Sequence, residues 1–229
     1  MLVFHSRGLR ISVSRYFYDM SWVSKIDRIV LLNLNIREDR LLESAEQFEN
    51  YSIPYERITA IHDPEQGARG LRDTMKLVFE KALQDGIDNL LVFEDDVKFV
   101  QGVEVFDDTM NKVIEQLPEN YDMCMLGCQP TGGFSHFFSP NLLPVQKAYS
   151  TQAVLYSKKG MKEIMGKDFG YPIDNWFVDE IQIAGHSYCA YPLLASQRPG
   201  HSDIGHNFIN WDVFITPKFE QKINEMRIR

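Results

Sequence analysis

Apolar and polar positions alternate along this chain in blocks that read as strands and helices in turn. Arg28-Ile29-Val30-Leu31-Leu32-Asn33-Leu34 is a short, mostly apolar run that predicts an opening central strand. Ile36 to Tyr51 follows with Leu41, Leu42, Ala45 and Phe48 at helical spacing, and Ile53-Pro54 breaks that helix. Tyr55 to Ile61 reads as a second strand. After the turn chemistry of residues 62–67, Gly70 leads into an amphipathic helix with Leu71, Met75, Val78, Phe79, Ala82 and Leu83 on one face, stopped by Asp85-Gly86. Leu90-Leu91-Val92-Phe93 is apolar without alternation, the pattern of a strand covered on both faces.

The second half is less regular. It predicts a helix from Phe106 to Gln116, a strand from Tyr121 to Leu126, and a strand over residues 153–156. Ser157 is placed to cap a helix from Lys158 to Met165, and a further strand is expected near residues 188–193. Gly127 to Pro144 lacks periodicity and is expected to be a long loop, serving as an acceptor loop or lid. The segment from Phe214 to Arg229 reads as basic and partly helical, with peripheral contact at an anionic membrane as one role and a solvated helix as the plainer one. Alternating strands and helices of this kind favour a mainly parallel sheet with right-handed crossovers.

Composition narrows the classes. With 44% hydrophobic and 24% charged residues the chain is globular, and no window reaches the ~18–20 apolar residues of a membrane span. A formal charge of −8 argues against nucleic acid as a partner. The three cysteines, Cys124, Cys128 and Cys189, form no C-x-x-C pair and predict free thiols in a reducing, cytoplasmic setting. Residues 1–24 carry Arg7, Arg10 and Arg15 among serines and aromatics and are expected to be an extension, leaving one domain over 25–229.

The chemistry concentrates where the buried strand ends in Glu94-Asp95-Asp96. Clustered carboxylates repel one another and resist desolvation, so they do not stabilise a strand tip. Ligands of open α/β sheets bind outside the carboxyl ends of the strands, and hard oxygen donors there suit Mg²⁺ or Mn²⁺ bridging to a diphosphate. No Gly-x-Gly-x-x-Gly follows the first strand and no Walker A motif is present, which leaves a nucleotide site whose phosphates are held mainly through a metal.

Four segments carry a family resemblance: Val30 to Leu34 with Arg37 and Arg40; Val92 to Val97; Tyr149 to Met165 with Ser157-Lys158-Lys159-Gly160; and Pro172-Ile173-Asp174 with Ser196-Gln197 and His201-Ser202-Asp203-Ile204. Over residues 26–205 the chain resembles glycosyltransferase family 25, the lipooligosaccharide and collagen β-galactosyltransferase group. It departs from the family's Gly-Cys-x-x-Ser-His stretch, having Gly70-Leu71-Arg72-Asp73-Thr74-Met75 instead.

The resemblance implies an α/β fold of GT-A type, a Rossmann-like, mixed, mainly parallel sheet flanked by helices. It implies an inverting hexosyltransferase that uses a UDP-sugar, galactose favoured, with Mn²⁺ or Mg²⁺, and a glycan, glycolipid or protein hydroxyl as acceptor. In that picture Asp96 is the first metal ligand, Glu94 assists through metal or ribose, and His201 is a third ligand, with His206 a weaker candidate. Asn33, Leu34, Arg37, Arg40, Glu94 and Asp95 contact the donor, although strand alternation turns Asp95 away from its neighbours. Asp174 is the first choice of catalytic base and Asp179 the second, with Trp176 as a sugar-stacking platform. A nucleotidyltransferase or phosphohydrolase using the same acids, and a silent UDP-binding relative, remain as alternatives.

Overall fold

The computed structural model describes residues 22–132, 136–205, 207–210 and 212–227. Its strands are β1 (Arg28–Asn33), β2 (Glu56–Thr59), β3 (Asn89–Glu94), β4 (Val97–Phe99), β5 (Met123–Met125), β6 (Gln129–Pro130), β7 (Leu142–Pro144), β8 (Ala148–Tyr149), β9 (Ala153–Ser157), β10 (Ser187–Ala190), β11 (Ala195–Gln197), β12 (Gly200–His201) and β13 (Phe208–Ile209). The helices are α1 (Glu38–Asn50), α2 (Gly67–Gln84), α3 (Val103–Gln116), α4 (Lys158–Met165), α5 (Ile173–Glu180) and α6 (Asp212–Arg227).

Seven strands form one sheet in the order β2-β1-β3-β9-β5-β10-β7. β2, β1 and β3 run parallel, β9 lies antiparallel between β3 and β5, β10 is parallel to β5, and β7 closes the far edge antiparallel. The expected mixed, mainly parallel α/β sheet flanked by helices is therefore what the chain forms. The unbroken apolar run of β3 has the predicted cause. Leu90 and Val92 enter the core under α2, α4, α5 and α6, while Leu91 and Phe93 enter the opposite core under α1 and α3.

Several boundaries differ from expectation. The helix expected from Gly70 begins at Gly67, because Gln66 and the turn before it already supply the first carbonyls of α2. Residues 127–144 are not a structureless loop. β6 pairs with β8, and β7 joins the main sheet with Leu142 and Leu143 fully buried; residues 133–135 lie outside the described residues. Ser157 caps α4 as predicted, its Oγ accepting from Gly160 N at 2.9 Å.

At the front of the chain, residues 1–21 are outside the described residues, but the last part of the expected extension is structural. Trp22 is fully buried, packs its ring against Phe106 and donates from Nε1 to Asp107 Oδ1 at 3.0 Å. At the other end, α6 docks Phe219 and Ile223 into the core, and its Lys222 lies 3.6 Å from Glu225. The segment read as a basic tail is thus a packed helix. No helix among the described residues is long and apolar enough to cross a membrane.

Trp22→Ala is expected to cost about 3–5 kcal/mol, the range for emptying a large buried aromatic site, whereas Leu42→Ala on the exposed face of α1 stays within about 0.5 kcal/mol. Urea denaturation of the two variants checks both values.

Candidate functional site

The site lies beyond the carboxyl ends of β1 and β3, where the acids of the β3 tip meet α1, α5 and a strap that includes residues 197–205 and 207–209. β3 ends at Glu94 and β4 begins at Val97, so Asp95 and Asp96 occupy the turn between two strands. This overturns the expectation that Asp95 faces away from its neighbours. Strand alternation no longer applies past Glu94, and all three acids line one cavity of about 120 Å³.

Arg40, in the first turn of α1, is the main counter-charge. Its Nη1 is 3.0 Å from Asp95 Oδ1 and 3.6 Å from Asp96 Oδ2, and its Nη2 donates to the His201 carbonyl at 2.7 Å. Asn33 donates from Nδ2 to Asp95 Oδ2 at 2.7 Å and to the Arg37 carbonyl at 3.0 Å, while its Oδ1 accepts from Arg57. Asn33 thus holds Asp95 in place rather than presenting a free amide. Arg37 pairs with Asp203 at 2.6 Å and with Asp39, fastening the strap to α1; Asp39 is held down at about 2 by the Arg37 guanidinium. Leu34 lines the cavity.

Asp96 is held by one oxygen only. Its Oδ2 accepts from Gln197 Nε2 at 2.7 Å, and its Oδ1 is buried with no partner among the described residues. Arg198 braces the turn, donating from Nη2 to the carbonyls of Asp95 and Val97 and ion-pairing with Glu43. Gln197, quoted only as part of a family signature, and Arg198 were given no site role, since the β11–β4 pairing that brings them to the acids spans about a hundred residues of sequence.

On the other side of Glu94 lies a second cavity of about 450 Å³, which shares Leu71, Glu94, Gln197, Ser202, Ile204 and Ile209 with the first. Asp174, in the first turn of α5, lines it. Asp174 Oδ2 accepts from the Ser150 backbone N at 3.0 Å, and the Thr151 hydroxyl lies 3.0 Å from Asp174 Oδ1 and 2.7 Å from Glu94 Oε1. One hydroxyl carries one proton and cannot satisfy two ionised carboxylates at once. Burial raises Asp174 above the usual carboxylate range. It raises Glu94 well above that range, with Asp96 and Asp174 adding to the effect, and raises Asp96 against the opposing pull of Arg40.

Other expected residues are elsewhere. Asp179 is exposed on α5 and lines neither cavity, because five residues along a helix turn it away from the Asp174 side. The Trp176 ring packs on Phe169 and Phe177 in the core, with Gly170 held close against it, so it is no sugar platform. The His201 ring stands edge-on to Phe208, and only its carbonyl reaches the site, through Arg37 and Arg40. His206 lies outside the described residues. In the departing stretch, Thr74 Oγ1 accepts from Ile61 N and donates to the Gly70 carbonyl, Met75 is core, and Arg72 pairs with Asp73 over the Tyr171 ring. That stretch is a structural clip here.

Among the described residues no three His, Cys, Asp or Glu side chains gather into a metal-holding group. Mg²⁺ and Mn²⁺ sites that employ one or two carboxylates and complete their shell with substrate phosphates and water do not need a third. The unpartnered Asp96 Oδ1 and the half-buried Glu94, which line the same cavity, are an oxygen donor set of that kind and fit such a cation.

No protein-family model and no curated protein matches the chain. Among solved structures, A197 from STIV aligns over 80% of this chain and 93% of its own at 13% identity and a TM-score of 0.47. A glycosyltransferase involved in the glycosylation of the major capsid of PBCV-1 aligns over 71% and 81% at 15% identity and a TM-score of 0.42. A mannose-1-phosphate geranyltransferase from Thermus thermophilus aligns over 70% and 58% at 11% identity and a TM-score of 0.40. None of these superpositions is close enough to carry a residue correspondence.

Arg40→Met keeps the aliphatic stem but leaves Asp95 and Asp96 facing each other without their cation. Stability is expected to fall by about 3–5 kcal/mol, and Arg40→Met/Asp95→Asn to regain much of it, because the cost lies in the uncompensated buried charge. Chemical denaturation of the single and double variants checks this; equal, additive losses contradict it.

Proposed function

We propose that the protein is an inverting, metal-dependent glycosyltransferase of GT-A type that moves a hexose, galactose favoured, from a UDP-sugar to a hydroxyl of a glycan, glycolipid or protein. One observation carries the reading: two cavities meet at the half-buried Glu94, with the unpartnered Asp96 oxygen on one side and Asp174 on the other. An inverting displacement needs this division, leaving group and nucleophile on opposite sides of the anomeric carbon. The family 25 resemblance of the four sequence segments points the same way.

Asp96 and Glu94 would hold Mn²⁺ or Mg²⁺, which supplies charge to offset the leaving diphosphate. The chain's own residues do the rest. Arg40 and Arg198 add positive charge to the first cavity, and Leu34, Ala60 and Ile61 give it an apolar wall for a nucleobase. Asp174, held by Ser150 and Thr151, takes the acceptor hydroxyl's proton as the new oxygen–carbon bond forms and the anomeric carbon–oxygen bond breaks. The bonding pair of the broken bond leaves on UDP. A half-buried carboxylate with raised proton affinity suits that task.

Calorimetry of UDP with and without Mn²⁺, followed by turnover of a UDP-hexose panel, tests the reading. Binding is expected only with the metal, and Asp96→Asn is expected to abolish metal-dependent binding and turnover while leaving the thermal transition in place. Metal-independent binding of equal strength in wild type and variant would sink the assignment.

Asp174→Asn is expected to lower kcat by about 10²–10⁴-fold with UDP affinity nearly unchanged. Single-turnover kinetics beside UDP titrations separate the two. A variant that loses UDP affinity and keeps its turnover shows that Asp174 is not the base.

A further inference from the structure

The two cavities differ in chemistry. The first is lined by Arg40 and Arg198 as well as acids, whereas no lysine, arginine or histidine lines the second among the described residues. Apart from Glu94 and Asp174, the polar groups of the second cavity are neutral amides and hydroxyls, including Gln129, Gln152, Asn175 and Ser202. Its volume of about 450 Å³ lies in the range of small-molecule clefts.

Gln152 is the informative member. It is 2% exposed, its Nε2 donates to the Gly127 carbonyl at 3.3 Å, and its Oε1 is buried without a partner among the described residues. Its backbone carbonyl accepts from Glu94 N at 3.0 Å, so the amide is tied to the strand end that divides the cavities. A buried, unsatisfied amide oxygen lowers stability unless something donates to it. Tyr149, half-buried on the same wall, offers an aromatic face. The adjacent Ser150 is buried at φ 85°, a backbone conformation that only its surroundings can maintain, and it aims its N–H at Asp174.

We infer that the second cavity seats a neutral sugar residue, one hydroxyl of which is the attacking nucleophile while another donates to Gln152 Oε1. This inference rests on the glycosyltransferase reading above. A sugar supplies the two things that the wall lacks, hydroxyl donors for an orphaned amide oxygen and an apolar C–H face for Tyr149. An acceptor bearing a carboxylate or phosphate beside the attacking hydroxyl meets Asp174 with no lysine, arginine or histidine in the cavity lining, so the cavity selects against it.

The test uses the full chain with saturating UDP and Mn²⁺. The probes are methyl glycosides of galactose, glucose, mannose and N-acetylglucosamine, with methyl glucuronide as the anionic counterpart, followed by saturation-transfer NMR and calorimetry. At least one neutral glycoside is expected to bind, the glucuronide at least about tenfold more weakly. Gln152→Leu and Tyr149→Ala are each expected to weaken the neutral glycoside by about tenfold, the loss of one well-made contact. UDP affinity, read through the first cavity, reports that each variant is folded.

UDP binding without any neutral glycoside binding, a glucuronide that binds as well as the neutral set, or glycoside binding indifferent to both substitutions overturns the inference and leaves the glycosyltransferase reading intact. Absence of UDP binding overturns that reading. A neutral glycoside that still binds the protein and is lost in Gln152→Leu then supports the cavity assignment alone, and loss of both ligands overturns both.

Discussion

Three carboxylates withdrawn from water at one strand end are the constraint around which the site is built. Asp95 and Asp96 are each only 7% exposed, and Glu94 faces both Asp96 and Asp174 across the cavities. Buried like charges must be neutralised by protons, by fixed cations or by a bound ion. Arg40 answers for Asp95 and in part for Asp96, and the His201 carbonyl and Asp203 converge on the same guanidinium. Arg37 and Arg198 then fasten the strap to α1 and the β3–β4 turn. Gly67 permits the last approach, because a Cβ there collides with the Asp203 carbonyl. Of these three carboxylates, the described residues give no cation to Glu94 and no partner to one oxygen of Asp96.

The parts legible in the sequence are those whose physics is local. β1, β3, α1 and α2 announce themselves through periodicity, because each buries a face or a whole strand against one neighbour at a time. The acids at the β3 tip are legible for the same reason, since carboxylates after a doubly buried strand have no packing role. Ser157 as a cap followed from spacing alone, and Asp174 came from the family resemblance. The direction of Asp95 did not, because alternation holds only while the strand lasts and the strand stops one residue earlier.

The remaining features depend on contacts between distant segments. Gln197 and Arg198 reach the acids only through β11 pairing with β4, and Thr151 meets Asp174 and Glu94 only because β9 inserts antiparallel beside β3. His201 and Trp176 had plausible side-chain chemistry, yet each found an aromatic partner instead, Phe208 for one and Phe169 for the other. The stretch 127–144 lacked periodicity because two-residue and three-residue strands are too short to show one. Trp22 was assigned to the extension since its burial depends on Phe106 and Asp107, far along the chain.

Thr151 links the two halves of the site through a single proton. Its hydroxyl is 2.7 Å from Glu94 and 3.0 Å from Asp174, and it can donate to one at a time. Burial and the neighbouring acids raise the proton affinity of Glu94, and whenever Glu94 carries a proton the Thr151 hydroxyl is available to Asp174. Once Glu94 is ionised, the shorter contact claims that proton, and Asp174 Oδ1 is left with its lone pairs open while Ser150 N still holds Oδ2. A carboxylate anchored by one oxygen and open at the other is positioned to accept a proton. The charge state of Glu94 and the capacity of Asp174 to accept a proton are therefore coupled by one hydroxyl, without any movement of the backbone.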